Sequence, residues 1–335
     1  MPDVPAPFAL LGLTQGAMVT QAVYAAAKLG IADTLSGGPL TAGKIAEQVD
    51  ANPETTYRLL RLLSSYSVFA ERDDGRFELT PMGDALRHDS PMSMRRIALL
   101  MGDPTHWEDW SHFTESVQTG EPSLPKLRGM SAWEYFGANP EYGAVFFGGM
   151  GNLSELETEP VVAAGDYSRF SKIVDVGGGN GTFLAAVLAK AVNSKGVLFA
   201  PPSVAGAQEV LEQGDVADRC TIETGSFLDS IPSGGDAYIL KHILHDWPEP
   251  QAVKILENVR SAISPKGTLQ IVEFVLREGN APHVGKLVDL WLMLLVGGME
   301  RTTKQYSQLL ASAGFRLTRV IETGSPISIV EAQPN

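Results

Sequence analysis

The stretch KIVDVGGGNGTFLAAVLAKA (172–191) decides the fold, because it joins an apolar strand to a helix through a loop of glycines. Glycines at such a junction let the backbone turn tightly and approach a ligand closely. Asp175 stands two residues before the first glycine, which gives the pattern D-x-G-x-G-x-G. The dinucleotide fingerprint has its third glycine one residue later, and a P-loop ends in Lys-Ser/Thr. The loop therefore indicates a ligand site in an α/β fold and disfavours a nucleoside triphosphate.

Strands and helices alternate from about residue 170 to the C-terminus. The predicted strands cover 172–178, 196–200, 220–227, 236–244 and 267–276. The predicted helices cover 182–191, 204–214, 249–263, 285–296 and 303–313, and LTRVIETG and ISIVEAQ form a predicted terminal hairpin. This alternation predicts an α/β fold with a Rossmann-like, mostly parallel sheet and helices on both faces.

The N-terminal part of the chain has a mainly helical pattern. A short predicted helix (41–48), a turn at Asn52-Pro53 and a second helix (53–66) follow one another. The segment SVFAERDDGRFELT (67–80) then has the pattern of two strands joined by Asp-Asp-Gly. A helix-turn-helix followed by a hairpin predicts a winged helix.

Three domains are predicted from these patterns. They are an N-terminal helical and winged-helix domain (1–100), an aromatic-rich helical bridge that lines a substrate pocket (101–165) and the α/β domain (166–335). The bridge contains HWEDWSHF, WEYF and FF, so an apolar planar substrate is a fair hypothesis for the cluster as a whole.

Composition excludes several classes of protein. The 335 residues carry a net charge of −13, which argues against nucleic-acid and anionic-membrane surfaces. The single cysteine, Cys220, allows neither an intramolecular disulfide nor a cysteine-based metal site. The N-terminus is a poor signal peptide, and no apolar run is long enough to span a bilayer. We therefore expect a cytoplasmic protein without a metal.

Five motifs, taken in order, resemble one family. They are VDVGGGNG (174–181), LKHILHDWPE (240–249), IVEFVL (271–276), GGMERT (297–302) and AGF (313–315). The chain resembles the S-adenosylmethionine-dependent O-methyltransferases of the plant caffeate and bacterial polyketide-tailoring type, over nearly its whole length. The resemblance implies a class I methyltransferase fold, an N-terminal dimerisation module that forms a homodimer, and an aromatic or polyketide-like substrate. It implies no metal.

His245 in the HDW motif is the candidate general base. An imidazole is suited to general-base work near neutral pH, and an acceptor hydroxyl is a poor nucleophile until its proton is removed. The resemblance gives His245 this role and places Glu273 and Glu300 beside its ring. A carboxylate in that position would orient the imidazole and stabilise the imidazolium.

The resemblance also assigns the cofactor contacts. They are carried to Asp175, Gly177, Gly179 and Gly181 in the glycine loop, Ser226 and Phe227 on the adenine side, Lys241 in LKHILHDW, and Ala200 at the end of VLFA. Position 200 departs from the family, which has an Asp there that grips the ribose hydroxyls. The loss of such a charge-assisted contact weakens binding by roughly 1.5–3 kcal/mol.

The candidate substrate pocket is the third part of the predicted site. Its residues are His106, Trp110, Phe146, Met150, Asp246, Trp291 and Leu292. Phe147, Trp291 and Leu292 depart from the family pattern, and they predict a more apolar pocket of a different shape.

Three functions are weighed on these observations. The first is O-methyl transfer, which the retained His245, Glu273 and Glu300 favour. The second is a non-methylating enzyme on the same scaffold, such as a hydroxylase or cyclase, which Ala200 and the altered pocket would fit. The third is a DNA-binding regulator or a ligand sensor. Residues 40–87 hold six basic and eight acidic side chains, the opposite of the balance on a DNA-reading face.

Overall fold

The computed structural model of the chain describes residues 4–202, 204 and 206–335. The chain forms two compact units. One comprises residues 1–111 and 133–153, and the other comprises residues 112–132 and 154–335. The predicted bridge (101–165) is divided between them, and the three-domain division stays a prediction.

The first unit begins with helices and a small sheet. Its first helices are α1 (Ala6–Leu29), α2 (Ile31–Thr34), α3 (Ala42–Gln48), α4 (Pro53–Ser65), α5 (Pro81–Asp84), α6 (Arg95–Gly102) and α7 (Pro104–Ser111). The strands β1 (Leu40–Thr41), β2 (Phe69–Glu71) and β3 (Arg76–Leu79) pair antiparallel in the order β1-β3-β2. Asn52 caps α4 by accepting from two backbone amides, and Pro53 occupies the first turn. The winged-helix prediction is confirmed.

Four helices occupy the middle of the chain. They are α8 (Phe113–Thr119), α9 (Ser123–Arg128), α10 (Ala132–Ala138) and α11 (Pro140–Ala164). Helices α8 and α9 belong to the second unit. The first part of α11 belongs to the first unit, and its residues from Ser154 onward belong to the second.

The second unit is built on one twisted sheet. Its strands are β4 (Lys172–Val176), β5 (Lys195–Ala200), β6 (Cys220–Thr224), β7 (Ala237–Lys241), β8 (Thr268–Leu276), β9 (Arg301–Thr302), β10 (Phe315–Glu322) and β11 (Ile327–Pro334). The order is β10-β11-β8-β7-β4-β5-β6, with β9 paired to β8. The five neighbouring strands β8, β7, β4, β5 and β6 are parallel to one another. Strand β11 pairs antiparallel with both β8 and β10. The predicted Rossmann-like sheet is confirmed.

Helices cover both faces of this sheet. They are α12 (Thr182–Lys190), α13 (Ala207–Gln213), α14 (Glu249–Ala262), α15 (Gly285–Leu295) and α16 (Thr303–Ser312). The central strands are buried along almost their whole length, as expected of parallel strands between two helical layers. Two apolar clusters result, one on each face of the sheet. In the described ranges, no helix has the length and apolar content needed to cross a membrane.

Two of the predicted strands extend three residues beyond the observed carboxyl ends. The strand predicted over 236–244 ends at Lys241, because His242 has a φ of +53° and leaves the extended conformation. The strand predicted over 220–227 ends at Thr224. Both differences lie at the carboxyl edge of the sheet, where open α/β sheets bind their ligands.

Candidate active site

The glycine loop lies between β4 and α12. Gly177, Gly179 and Gly181 all have positive φ, which side-chain-bearing residues rarely adopt. A Cβ on Gly177 would lie 2.4 Å from the Ile243 side chain, so that glycine is also required by packing. A Cβ on Gly179 would meet no atom within 4 Å. The loop therefore has one crowded side and one open side, on which a ligand can approach the backbone.

Asp175 lies at the base of this loop. It is buried, and neither carboxylate oxygen has a hydrogen-bond partner among the described residues. Burial raises the pKa of Asp175 to about 7, against the opposing effect of the Lys241 charge. A buried carboxyl group with unfilled acceptor sites fits a ligand that brings its own donors or positive charge. The amino end of S-adenosylmethionine has that chemistry.

Ala200 is the last residue of β5 and is buried. Its carbonyl oxygen accepts from the backbone amide of Gly225, 3.2 Å away. The neighbouring Phe199 carbonyl accepts from Gly177 at 2.7 Å, so the strand end is tied to the glycine loop. The strand end therefore lies beside the glycine loop with a methyl group at position 200, and the cofactor role of this position stays a prediction.

The adenine-side candidates follow β6. The Ser226 hydroxyl accepts from the Leu228 amide at 3.2 Å, and the Phe227 carbonyl accepts from the Asn258 side chain at 2.8 Å. The Phe227 ring meets Trp247 edge to face, with centroids 5.8 Å apart. These contacts hold an aromatic surface beside the loop, and the adenine-side role of Ser226 and Phe227 stays a prediction.

Lys241 lies at the end of β7 with its ammonium group buried. The ammonium donates to Ser154 Oγ at 2.9 Å and to Glu157 Oε2 at 3.1 Å, both on α11. The same Glu157 oxygen lies 2.7 Å from His242 Nε2. Desolvation opposes the charge on Glu157, but His242 and Lys241 outweigh it and lower the pKa of Glu157 to about 2. Glu157 is thus an ionised anchor for two adjacent residues.

The candidate base lies four residues beyond β7. His245 belongs to a single 3₁₀ turn (Leu244–Asp246) rather than to the strand end itself. The carbonyl oxygen of His245 accepts from the Met299 amide at 2.9 Å, and a Cβ on Gly298 would lie 2.0 Å from that oxygen. This close approach explains the second glycine of the GGMERT motif, because only a residue without a side chain fits at position 298.

Glu300 contacts the imidazole directly. Its Oε1 lies 2.7 Å from His245 Nδ1, and both side chains are buried. A carboxylate at Nδ1 favours the tautomer with the proton on that nitrogen, which leaves the lone pair on Nε2. Nε2 faces Asp246, whose nearer oxygen is 3.6 Å away. Nε2 is therefore the ring nitrogen that could accept a proton, and the role of His245 as the base stays a prediction.

Glu273 has a different role from the one expected. Its Oε1 accepts from the backbone amides of Ile243, Leu244 and His245 at 3.0, 2.7 and 3.2 Å. Its Oε2 accepts from the Tyr306 hydroxyl at 2.5 Å. Strand β8 lies next to β7 in parallel register, so Glu273 meets the backbone that follows β7 rather than the ring. Glu273 holds the turn, and Glu300 holds the imidazole.

The charges of this cluster are strongly coupled. Burial disfavours the imidazolium of His245, but Asp246, Glu300 and Glu273 outweigh burial and raise its pKa to about 10. Burial raises the pKa of Glu300 to about 7 and that of Asp246 to about 6, each against the effect of His245. The carboxylates thus stabilise the protonated imidazole, the form that a general base reaches after it accepts a proton.

The pocket candidates fall in both units. In the first unit, Trp110 Nε1 donates to His106 Nε2 at 3.0 Å, and burial lowers the pKa of His106 to about 4. Phe146 stacks on Phe136, with centroids 4.2 Å apart, and Met150 lies one turn further along α11. In the second unit, Asp246 lies beside His245, and Trp291 and Leu292 lie on α15. That these residues share one pocket stays a prediction.

Three residues of the cluster were not anticipated from the sequence: Glu157, His242 and Tyr306. Glu157 is 84 residues from Lys241 in the chain, and it lies in a helix without a motif. The His242 ring stacks on His245 with centroids 5.0 Å apart. The positive φ of His242 makes this possible, and the sequence has no signal for it.

Two families of domains match the chain. The O-methyltransferase domain matches residues 110–316, and the O-methyltransferase dimerisation domain matches residues 11–89. The phenazine O-methyltransferase of Lysobacter antibioticus is 39% identical over 332 residues, which cover 99% of this chain and 97% of that protein.

Two further relatives extend the comparison. The 8-amino-8-demethylriboflavin N,N-dimethyltransferase of Streptomyces davaonensis is 34% identical over 317 residues, 93% of this chain and 90% of that protein. The calicheamicin biosynthesis methyltransferase CalO1, solved in an SAH-bound form, has a TM-score of 0.89 and 34% identity, and the match covers both chains completely. The chain belongs to the S-adenosylmethionine-dependent O-methyltransferase family.

Proposed function

We propose that the protein methylates a phenolic hydroxyl of an aromatic or polyketide-like small molecule, with His245 as the general base. The observation that carries this proposal is the 2.7 Å contact between His245 Nδ1 and Glu300 Oε1 in a buried site. This contact leaves Nε2 as the proton acceptor. S-adenosylmethionine, when bound, supplies an electrophilic methyl group on a sulfonium.

Two carboxylates support His245 in different ways. Glu300 fixes the tautomer and stabilises the imidazolium, while Glu273 fixes the backbone of the turn. Removal of the hydroxyl proton by Nε2 creates the phenolate, and the rest of the reaction depends on alignment in an in-line displacement. A bound sulfonium near the imidazole would lower the pKa of His245, because like charges disfavour each other. Cofactor binding would thus prepare the neutral base.

An oxygen acceptor is the better match to this site. The phenazine O-methyltransferase is named for transfer to oxygen, and the riboflavin-analogue enzyme is named for transfer to nitrogen. A neutral aromatic amine is already a nucleophile, whereas a phenol needs a base. The buried His245–Glu300 pair provides the base that removes the proton of a phenol.

A methyl-transfer assay tests the proposal. Purified protein is incubated with S-adenosylmethionine and a panel of naphthols, hydroxybenzoates and the corresponding anilines, and the products are identified by mass spectrometry. We expect methyl ethers from some of the phenols. If no methylated product forms, calorimetry with S-adenosylmethionine shows whether the acceptor class or the cofactor site was assigned wrongly. Binding without methylation of any phenol or amine would refute the acceptor class, and the absence of binding would refute the cofactor site.

Restoring an acid at position 200 should tighten cofactor binding. Ala200→Asp is expected to lower the dissociation constant of S-adenosylmethionine by about 10- to 100-fold, because a carboxylate can accept charge-assisted hydrogen bonds from the ribose hydroxyls. The matched control is Ala200→Asn, which has the same shape without the charge and should tighten binding less. Calorimetry measures both. An unchanged or weaker affinity in Ala200→Asp would show that the ribose lies elsewhere.

We also propose a homodimer formed through α1. Along its first thirteen residues this helix exposes a set of large apolar side chains, Phe8, Leu10, Leu11, Leu13 and Met18. Monomeric proteins rarely expose such patches, and a second copy of the chain would cover them. Val19 and Val23, further along the same helix, are half-buried. For the location of the protein we propose the cytoplasm, in keeping with the single cysteine.

A charge in the centre of this helix should break the dimer. Leu13 is 80% exposed, and Leu13→Glu is expected to shift the protein to monomer, since an unpaired carboxylate cannot be buried cheaply in an apolar interface. Val192→Glu, at an apolar side chain outside α1 that is 65% exposed, is the charge-matched control. Sedimentation velocity measures the oligomeric state over a range of concentrations. A Leu13→Glu dimer as tight as wild type would exclude α1 as the interface.

A further inference from the structure

The turn that carries His245 has little regular structure of its own. Strand β7 ends at Lys241, and His242 adopts a left-handed conformation that costs energy in a residue with a side chain. The next three residues have buried backbones that take no part in the β-ladder. The position of the base is therefore determined by groups outside the turn.

Glu273 is the main such group. A single oxygen of this carboxylate accepts from three consecutive backbone amides, those of residues 243–245. Successive amides that converge on one anion form a rigid nest. The carboxylate must keep its plane fixed, because a rotation of the group would withdraw Oε1 from the three amides.

Tyr306 controls the other oxygen. This tyrosine is fully buried in α16, and its hydroxyl lies 2.5 Å from Glu273 Oε2. Burial and the nearby charges of Glu273 and Glu300 raise the pKa of Tyr306 well above its ordinary value, so the hydroxyl stays protonated and donates. Among the described residues, this is the hydrogen bond that the structure gives to Oε2.

We propose that Tyr306 is a positioning residue for the methyl-transfer reaction, which holds the His245 turn through the Glu273 carboxylate. The proposal rests on the proposed function of His245. Tyr306 itself touches neither the imidazole nor Glu300 through a described hydrogen bond. Its hydroxyl fixes the plane of Glu273, Glu273 fixes three amides, and the amides fix the backbone from which the imidazole projects. Small displacements of a catalytic group lower the rate steeply, so the effect should appear in kcat.

Tyr306→Phe tests the proposal, and the same substitution at a second buried tyrosine serves as its control. We expect kcat to fall about 10-fold or more, with the dissociation constant of S-adenosylmethionine changed by less than about twofold. The control is Tyr238→Phe. Tyr238 is fully buried in β7, and its hydroxyl oxygen lies 2.8 and 3.0 Å from the carbonyl oxygens of Pro232 and Ala262, one of which accepts its proton. This control should lose stability but keep kcat. A wild-type kcat in Tyr306→Phe, or equal kcat losses in both variants, would overturn the proposal.

The same tyrosine substitution is also made in a Glu273→Gln protein, which keeps the test decisive if Tyr306→Phe alone folds poorly. In Glu273→Gln the buried group is neutral, so loss of the tyrosine hydroxyl leaves no unpaired charge. If Tyr306 acts only through Glu273, Tyr306→Phe should change kcat by less than about twofold in this background. A further large loss would mean that Tyr306 acts by another route.

Hydrogen exchange gives a readout that needs no substrate. We expect the amides of residues 243–245 to exchange at least about 10-fold faster in Tyr306→Phe than in wild type, and to be unchanged in Tyr238→Phe. If the amides exchange faster in Tyr306→Phe but the wild-type protein methylates no phenol, the positioning role of Tyr306 through Glu273 is supported and the proposed phenolic acceptor is refuted. If exchange of these amides is unchanged in Tyr306→Phe, the positioning role of Tyr306 is refuted whatever the activity.

Discussion

His245→Ala is expected to lower kcat for an ordinary phenol by about 10²- to 10⁴-fold, the range typical of a lost general base. The imidazole is the group that Glu300 orients, and its Nε2 is the acceptor left free by that contact. Binding of S-adenosylmethionine should not weaken, because the loop and Asp175 are untouched and an imidazolium that would repel the sulfonium is removed. Steady-state kinetics and calorimetry measure the two effects separately.

His88→Ala is the matched control for this loss. His88 is 68% exposed in the first unit, and its ring contacts Asp33 at the surface. Its removal should leave kcat within about twofold of wild type, as surface substitutions usually do. Wild-type kcat in His245→Ala, measured with a folded protein that binds the cofactor, would refute the base assignment.

Glu300→Gln should lower the maximal kcat by an amount on the order of 10- to 100-fold and change the pH profile as well. In wild type kcat should rise with pH through the pKa of His245 in the cofactor complex, because the neutral imidazole is the reactive form. The bound sulfonium places that pKa below the value of about 10 in the cofactor-free site. Glu300 raises that pKa, so its neutralisation lowers the pKa and moves the rising limb to lower pH. The lower plateau reflects the imidazolium that has lost its stabilising carboxylate.

Glu331→Gln is the control for the loss of a buried carboxylate. Glu331 lies in β11 and accepts from Arg169, Arg319 and Gln270. Its neutralisation should destabilise the protein without a shift of the rising limb. The kcat values of the three proteins are measured between pH 6 and pH 10. A Glu300→Gln profile that superimposes on the wild-type profile would contradict the electrostatic role of Glu300.

The sequence predicted the local parts of the site well. The loop between β4 and α12 could be predicted because its glycines, its apolar strand and its helix are adjacent in the chain. The winged helix was predictable for the same reason, since Asn52-Pro53 and Asp-Asp-Gly are local signals of a helix start and a turn. The motif resemblance added His245 and Glu300, which the structure brings within 2.7 Å.

The parts that depend on distant contacts could not be predicted. The exit of β7 at Lys241 depends on a positive φ at His242, for which sequence propensity gives no warning. The contact of Glu273 with the turn depends on the register of β7 and β8, and this contact replaced the expected contact with the ring. The pairing of Glu157 with Lys241 joins residues on separate elements. In each case the tertiary structure determines which group a charged side chain meets.

The central claim is that His245 removes the acceptor proton, and a series of phenols of graded acidity tests it most directly. The ratio of kcat/KM between wild type and His245→Ala is measured at one pH near neutrality for phenols that range from unionised to fully ionised. The account predicts a ratio of about 10² or more for the unionised phenols that approaches 1 for the ionised ones, because a phenolate needs no base. A large ratio that is the same for every phenol would contradict the account.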